Sequence, residues 1–121
     1  MPDPINEFEV SAEKVDGACV VSVSGELDIS THERLGEQLT KAASGEEPII
    51  VDLSSCDFID SSGIRALLLG VRAAEENSKG SAAFSIAGPG PQVRRILEVT
   101  GLDKTVPVHG SVDEALEKLQ S

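Results

Sequence analysis

One stretch of the sequence concentrates polar, modifiable side chains. Asp57-Phe58-Ile59-Asp60-Ser61-Ser62-Gly63 sets two carboxylates and two hydroxyls ahead of an apolar run. In that run Ile64, Leu67, Leu68 and Val71 recur at i, i+3, i+4 and i+7, the spacing of one helix face. Asp60, Ser61 and Ser62 therefore fall at a helix N-terminus, where backbone N–H groups lack partners and the helix dipole is positive. Asp and Ser are preferred capping residues, so capping accounts for part of the pattern. One serine suffices for a cap, which leaves a second hydroxyl free for other work. A phosphoserine is compatible with the fold there, because a helix N-terminus favours an anion. Gly25-Glu26-Leu27-Asp28 is the second marked segment, and it breaks off a Val-rich strand.

Enzyme chemistry is poorly supplied. Ile59-Asp60-Ser61-Ser62-Gly63 is not the Gly-x-Ser-x-Gly elbow of a nucleophilic serine. His32 and His109 are the only imidazoles. One lies early in a helix and the other after an edge strand, and both are read as exposed polar residues, since a triad needs a positioned partner. There is no Gly-rich phosphate loop. Asp52 lacks the acidic pair of a phospho-accepting aspartate and sits inside its own strand. Cys19 and Cys56 have no metal-ligand spacing with the two histidines, so neither a metal site nor a cofactor is expected. Cys19 lies in an apolar run and reads as core, with both thiols reduced. The chain is expected not to be an enzyme.

The elements that hold these residues follow from periodicity and punctuation. Residues 1–7 are expected to be a flexible tail, and 8–121 a single domain. Phe8 to Val15 alternates as a strand, and the Asp16-Gly17 turn pairs it with a second strand, Ala18 to Ser24. Ser30 and Glu33 fit a capping box, opening a helix that keeps its spacing to Ala43. Pro48 to Leu53 is a strand buried on both faces, and Ser54 to Asp60 a loop. The helix of Ile64 runs to about Asn77, Gly80 resets the chain, and Ala82 to Ala87 is the next strand. Gly88-Pro89-Gly90-Pro91 turns into a short helix carrying Val93, Ile96 and Leu97, which Gly101 ends. Thr105 to His109 is a strand that Pro107 confines to a sheet edge. Ser111 and Glu114 form a second capping box, with Val112, Ala115, Leu116 and Leu119 on the last helical face. The order β-β-α-β-α-β-α-β-α implies an α/β fold: a small, mainly parallel sheet with one antiparallel edge strand.

Composition narrows the partners. The 121 residues include 10 Lys and Arg against 21 Asp and Glu, a net charge of −11. That argues against nucleic acid and anionic membrane, which need a basic footprint, and suits a basic protein partner. With no Trp or Tyr and three Phe, base stacking is poorly supplied. The longest apolar run is Ala66 to Leu69, too short to span a bilayer. Met1-Pro2-Asp3-Pro4 lacks the basic and apolar regions of a signal peptide, so a cytoplasmic monomer is expected.

Four segments in order carry a family resemblance: Gly25-Glu26-Leu27-Asp28, Val51-Asp52-Leu53, the run from Phe58 to Ile64, and the run from Val93 to Asp103. Together, spanning about residues 8–119, they resemble the STAS domain family, and most of all its stand-alone bacterial anti-sigma-factor antagonists. The resemblance implies a partner-switching protein. Unmodified, such an antagonist binds an anti-sigma factor that has serine kinase activity, and a sigma factor is released. Phosphorylation by that kinase ends the association, and a serine phosphatase reverses it. The acceptor implied is Ser61, with Asp28 beside it. The partner-binding stretch implied is Asp28 with Asp60, Ser61, Ser62, Gly63 and Ile64. Ile64 stands where Leu is commoner. Arg65 stands where a small residue is frequent, and its place suits tuning of the partner. His32 has no assigned role, and Arg94 and Arg95 read as exposed helix surface. Two alternatives remain: a STAS scaffold subunit of a stress-signalling assembly, or a small-ligand or nucleotide-binding α/β domain. The missing Gly-rich loop counts against the second.

Overall fold

Asp16 and Gly17 both take positive φ, 49° and 85°, the geometry of a two-residue hairpin turn. They join β1 (Glu9–Val15) to β2 (Ala18–Leu27) in antiparallel register, with Val15 opposite Ala18 and Glu9 opposite Ser24. In this computed structural model, which describes residues 8–77 and 83–120, the remaining elements alternate. They are α1 (His32–Ala43), β3 (Ile49–Ile59), α2 (Ser61–Asn77), β4 (Phe84–Ala87), α3 (Pro91–Thr100), α4 (Leu102–Thr105), β5 (Val108–His109) and α5 (Val112–Gln120). The expected tail over 1–7, the break at Gly80 and the strand start at Ala82 lie outside the described residues.

The five strands form one sheet in the order β1-β2-β3-β4-β5. Every pair after the hairpin is parallel, so the antiparallel edge strand is where the sequence puts it. Alternation along the central strands distributes the core. Val21, Val23, Val51, Leu53 and Ile86 turn to the face covered by Leu35 and Leu39 of α1 and Leu67 of α2. Ala18, Val20, Ile50 and Ala87 turn to the other face, covered by Ala115 and Leu116 of α5. Each fully buried Leu, Ile or Val contributes about 1.5–3 kcal/mol. Arg34 of α1 lies over the ring of Phe8, 5.1 Å from its centroid, which fixes the chain just ahead of β1.

Several boundaries differ from the sequence expectation. The second strand does not end at Ser24. Gly25 takes a φ of 96°, register shifts absorb the irregularity, and pairing continues through Glu26 with Phe58 and Leu27 with Ile59. The glycine lies inside the strand, paired with Cys56 beside a shift that gives β3 one extra residue, Asp57, and it is not the strand's end. For the same reason residues 54–59 are strand, not loop: Ser54, Ser55 and Asp57 face solvent while Cys56 and Ile59 are buried. The Ser30–Glu33 capping box does not form. The N-cap of α1 is Thr31, without a side-chain cap bond. The Ser111 cap does form, accepting Glu114 N–H at 3.1 Å, but Glu114 reaches back to the N–H of Gly110 (3.4 Å). The last strand is shorter than Thr105–His109, because residues 102–105 close a helical turn with Val106 N–H on Leu102 O. Pro107 sits at the sheet edge as expected, its carbonyl accepting Ile86 N–H at 3.0 Å.

His109 is not the exposed residue the sequence suggested. Its side chain is 15% exposed, and Nδ1 lies 3.6 Å from Glu114 Oε1. Both cysteines are buried and free, and burial pushes both thiols up from their ordinary range.

Two glycines should respond with opposite signs. Gly17→Ala meets no atom but must hold a φ of 85°, so it should destabilise by about 1–2 kcal/mol. Gly36, inside α1, also has open space around an added Cβ. Gly36→Ala should therefore stabilise by about 0.5–1 kcal/mol, since helix propensity alone is at stake. Urea denaturation of both variants checks the pair.

Candidate functional site at the start of α2

The site is built where β2 and β3 end together. Leu27 and Ile59 are register partners, so Asp28 and Asp60 leave adjacent strands at the same level. Asp60 N–H donates to Leu27 O (3.2 Å), which ties the two strand ends to one another. Asp60 Oδ1 then accepts the N–H groups of Ser62 (2.8 Å) and Gly63 (3.2 Å), and Asp60 O accepts Ile64 N–H (3.0 Å). Asp60 is thus the N-cap of α2. Ser62 is a half-buried first-turn residue, and neither serine is the cap.

Gly63 owes its place to packing. A Cβ there would lie 2.7 Å from Ile59 Cγ1, 2.8 Å from Leu27 Cγ and 2.9 Å from Leu27 O. Only glycine lets α2 sit this close to the strand ends. Gly63 and Ile64 are both buried, so they support the surface from beneath. Ser61 is exposed in the first turn. Among the described residues neither serine hydroxyl has a hydrogen-bond partner. The site can present an acceptor hydroxyl.

Asp28 is held by a polar knot. Its Oδ1 accepts Ser30 N–H at 2.9 Å, and its own N–H donates to Thr31 Oγ1 at 2.9 Å. Thr31 Oγ1 donates to Glu26 O (2.7 Å), and Asp28 O accepts the N–H groups of Thr31 and His32. The knot turns the chain from β2 into α1 and fixes a carboxylate near Asp60.

Sequence reasoning missed two apolar residues beside this polar centre, Ile29 and Leu69. Ile29 is 70% exposed and Leu69 55% exposed, on opposite sides of a groove of about 800 Å³ between α1 and α2. His32, Ser62 and Arg65 also line it. On the other side of the site Phe58, 47% exposed, borders a hollow of about 270 Å³ with Ile96 and Arg95. The signal for Ile29 was available: it is one apolar residue in an otherwise polar turn. Arg94 and Arg95 are exposed, as expected. Among the described residues no cluster of His, Cys, Asp or Glu could hold a metal, and no helix is long and apolar enough to cross a membrane.

A five-stranded sheet of this topology agrees with a family match: the STAS domain model covers residues 9–115, and the chain belongs to that family. Over 115 residues it is 32% identical to the anti-sigma F factor antagonist of Paenibacillus polymyxa, covering 93% of this chain and 96% of that one. It is 30% identical over 116 residues to the anti-sigma-F factor antagonist RsfB of Mycobacterium tuberculosis, covering 95% of this chain and 89% of that one. The crystal structure of an anti-sigma factor antagonist from Mycobacterium paratuberculosis superposes with a TM-score of 0.84 at 32% identity over the whole of both chains.

The seat of α2 is open to test. Gly63→Ala should cost about 1–3 kcal/mol, because the added methyl meets backbone as well as side chain. Asp60→Ala should cost about 1 kcal/mol through loss of the cap, and Asp60→Ser should recover most of it. Equilibrium urea unfolding measures both. A Gly63→Ala variant as stable as the parent would show that the strand ends yield.

Proposed function

We propose that this protein is an anti-sigma-factor antagonist controlled by phosphorylation of Ser61. Unphosphorylated, it binds an anti-sigma factor with serine kinase activity and so frees a sigma factor. The observation that supports this most is the exposed, unpaired Ser61 hydroxyl directly after the capping Asp60, in a family member whose relatives carry that name. The contact surface is centred on Ser61, with Asp28, Asp60 and Ser62 around it and Gly63 and Ile64 holding it from below. The protein acts as a cytoplasmic monomer and regulates transcription without touching nucleic acid or catalysing a reaction.

In the phosphorylation step the kinase transfers the γ-phosphoryl group of ATP to Ser61 Oγ. A P–Oγ bond forms, the bond to the β-phosphate oxygen breaks to leave ADP, and the hydroxyl proton passes to a base on the kinase. A phosphatase restores the hydroxyl by hydrolysis, releasing inorganic phosphate. The phosphate adds roughly −1.5 to −2 charges to a surface that already holds two carboxylates. A partner fitted to the unmodified surface then meets a larger group and an unmatched charge, which costs several kcal/mol. A loss of about 4 kcal/mol is roughly a thousandfold in affinity. The fold itself tolerates the anion at a helix start.

Incubation with the cognate kinase and ATP, followed by fragment mass spectrometry, should place a single phosphate on Ser61. Phosphate on Ser62 with Ser61 unmodified would overturn the assignment. By calorimetry Ser61→Ala should bind the anti-sigma factor and resist release, whereas Ser61→Glu should bind poorly. Equal affinity of the phosphorylated and unphosphorylated forms would refute the switch.

A further inference from the structure

A phosphate on Ser61 would enter a turn in which three of the backbone donors that follow it are already engaged. The N–H groups of Ser62 and Gly63 are held by Asp60 Oδ1, and that of Ile64 by Asp60 O. The nearest carboxylate in the sequence is that same Asp60. The dipole of α2 favours an anion there, but the hydrogen bonds that usually accompany it are largely spent.

Arg65 lies one helical turn further along α2, at i+4 from Ser61. Both residues are exposed, and among the described residues Arg65 has no ion-pair partner. Side chains four apart on a helix have Cβ atoms about 5–6 Å from each other. Helical side chains also lean toward the N-terminus, which carries the Arg65 guanidinium toward Ser61. An anion preceding a cation by four residues is the favourable order for a helix. The groove's other long cation, Lys41, stands at its far end, where Gly70 abuts Leu39.

We infer that Arg65 is the phosphate-pairing residue of this switch, its guanidinium engaging phosphorylated Ser61 in cis across one turn of α2. Arginine suits the role because its planar fork can give two parallel hydrogen bonds to phosphate oxygens. The pair offsets repulsion between the phosphate and Asp60. It also draws a cation off the rim of the groove beside Ile29 and Leu69, so the modification changes more of the partner-facing surface than one side chain. This inference rests on Ser61 being the acceptor, but its test needs no kinase.

Phosphoserine is installed at position 61 during synthesis in the parent, Arg65→Gln and Arg65→Lys proteins. Phosphorus NMR then follows the second ionisation of the phosphate, ordinarily near pH 6. The parent midpoint should lie below that of Arg65→Gln by about half a pH unit, as expected for one charge at this range in a solvated setting. Arg65→Lys should recover part of the difference, and 1 M salt should shrink it. Identical midpoints for the parent and Arg65→Gln would overturn the inference. Unmodified Arg65→Gln should melt with the parent, because Arg65 is exposed and unpaired, and this keeps a folding defect from imitating the result. If the kinase instead modifies Ser62, phosphosite mapping reveals it, while the NMR comparison still decides whether Arg65 pairs with a phosphate at 61.

Discussion

The contact on which the rest depends is the close approach of α2 to the ends of β2 and β3. At Gly63 there is no room for a methyl group between the helix and Leu27 and Ile59. That approach sets where the helix begins. It brings Asp60 within reach of Leu27 O, and from there the cap fixes the first turn. A larger residue at 63 would lift the helix and move the Ser61 hydroxyl, the cap and the Asp28 knot relative to one another. Sequence, packing and site geometry are here the same constraint.

Around this seat the two longest strands do more than fill a sheet. Their bulged extensions carry the chain past the middle of the domain, so that the polar residues stand at one end, clear of the core. α1 and α2 then pack side by side, with Gly70 against Leu39, and leave a groove opening toward the serines. The polar centre is flanked by apolar side chains exposed on each side, Ile29 and Leu69 in one direction and Phe58 in the other. Under the proposed function such patches would add apolar area to a contact whose middle is charged.

Much of this was legible in the sequence, for reasons that can be named. Asp16-Gly17 specifies a turn almost by itself, and the alternation of strands with amphipathic stretches leaves few topologies. The helix start at Ser61 was visible in its capping residues. The strand extensions were hidden because a glycine and a run of polar residues ordinarily mean a break, whereas here Gly25 stays paired with Cys56 and Ser54, Ser55 and Asp57 face solvent. Which residue caps was left open because Asp60, Ser61 and Ser62 have similar preferences. Only the bonds from Ser62 and Gly63 to Asp60 distinguish them. At Ser30 the competing bonds of Thr31 and Asp28 displaced a box that the spacing favoured. The burial of His109 depends on α5 folding back over β5, a tertiary fact that no local pattern carries.

The first-turn position of Ser61 bears on how the residue is read. Drawing it out into an extended strand for an enzyme's cleft would break the Asp60 bonds and unseat Gly63. On the proposed function, a kinase acting on Ser61 would have to recognise a surface assembled from β2, β3 and α2, not a linear motif. A short fragment around Ser61 holds the same letters without the strands that seat the helix, and an isolated helix of that length is marginal in water. A chain still emerging from the ribosome, or one that has lost its fold, offers the enzyme nothing to grip. Under the proposed function, phosphorylation of Ser61 would register only molecules that have completed folding, and tertiary structure itself would serve as the proofreading step.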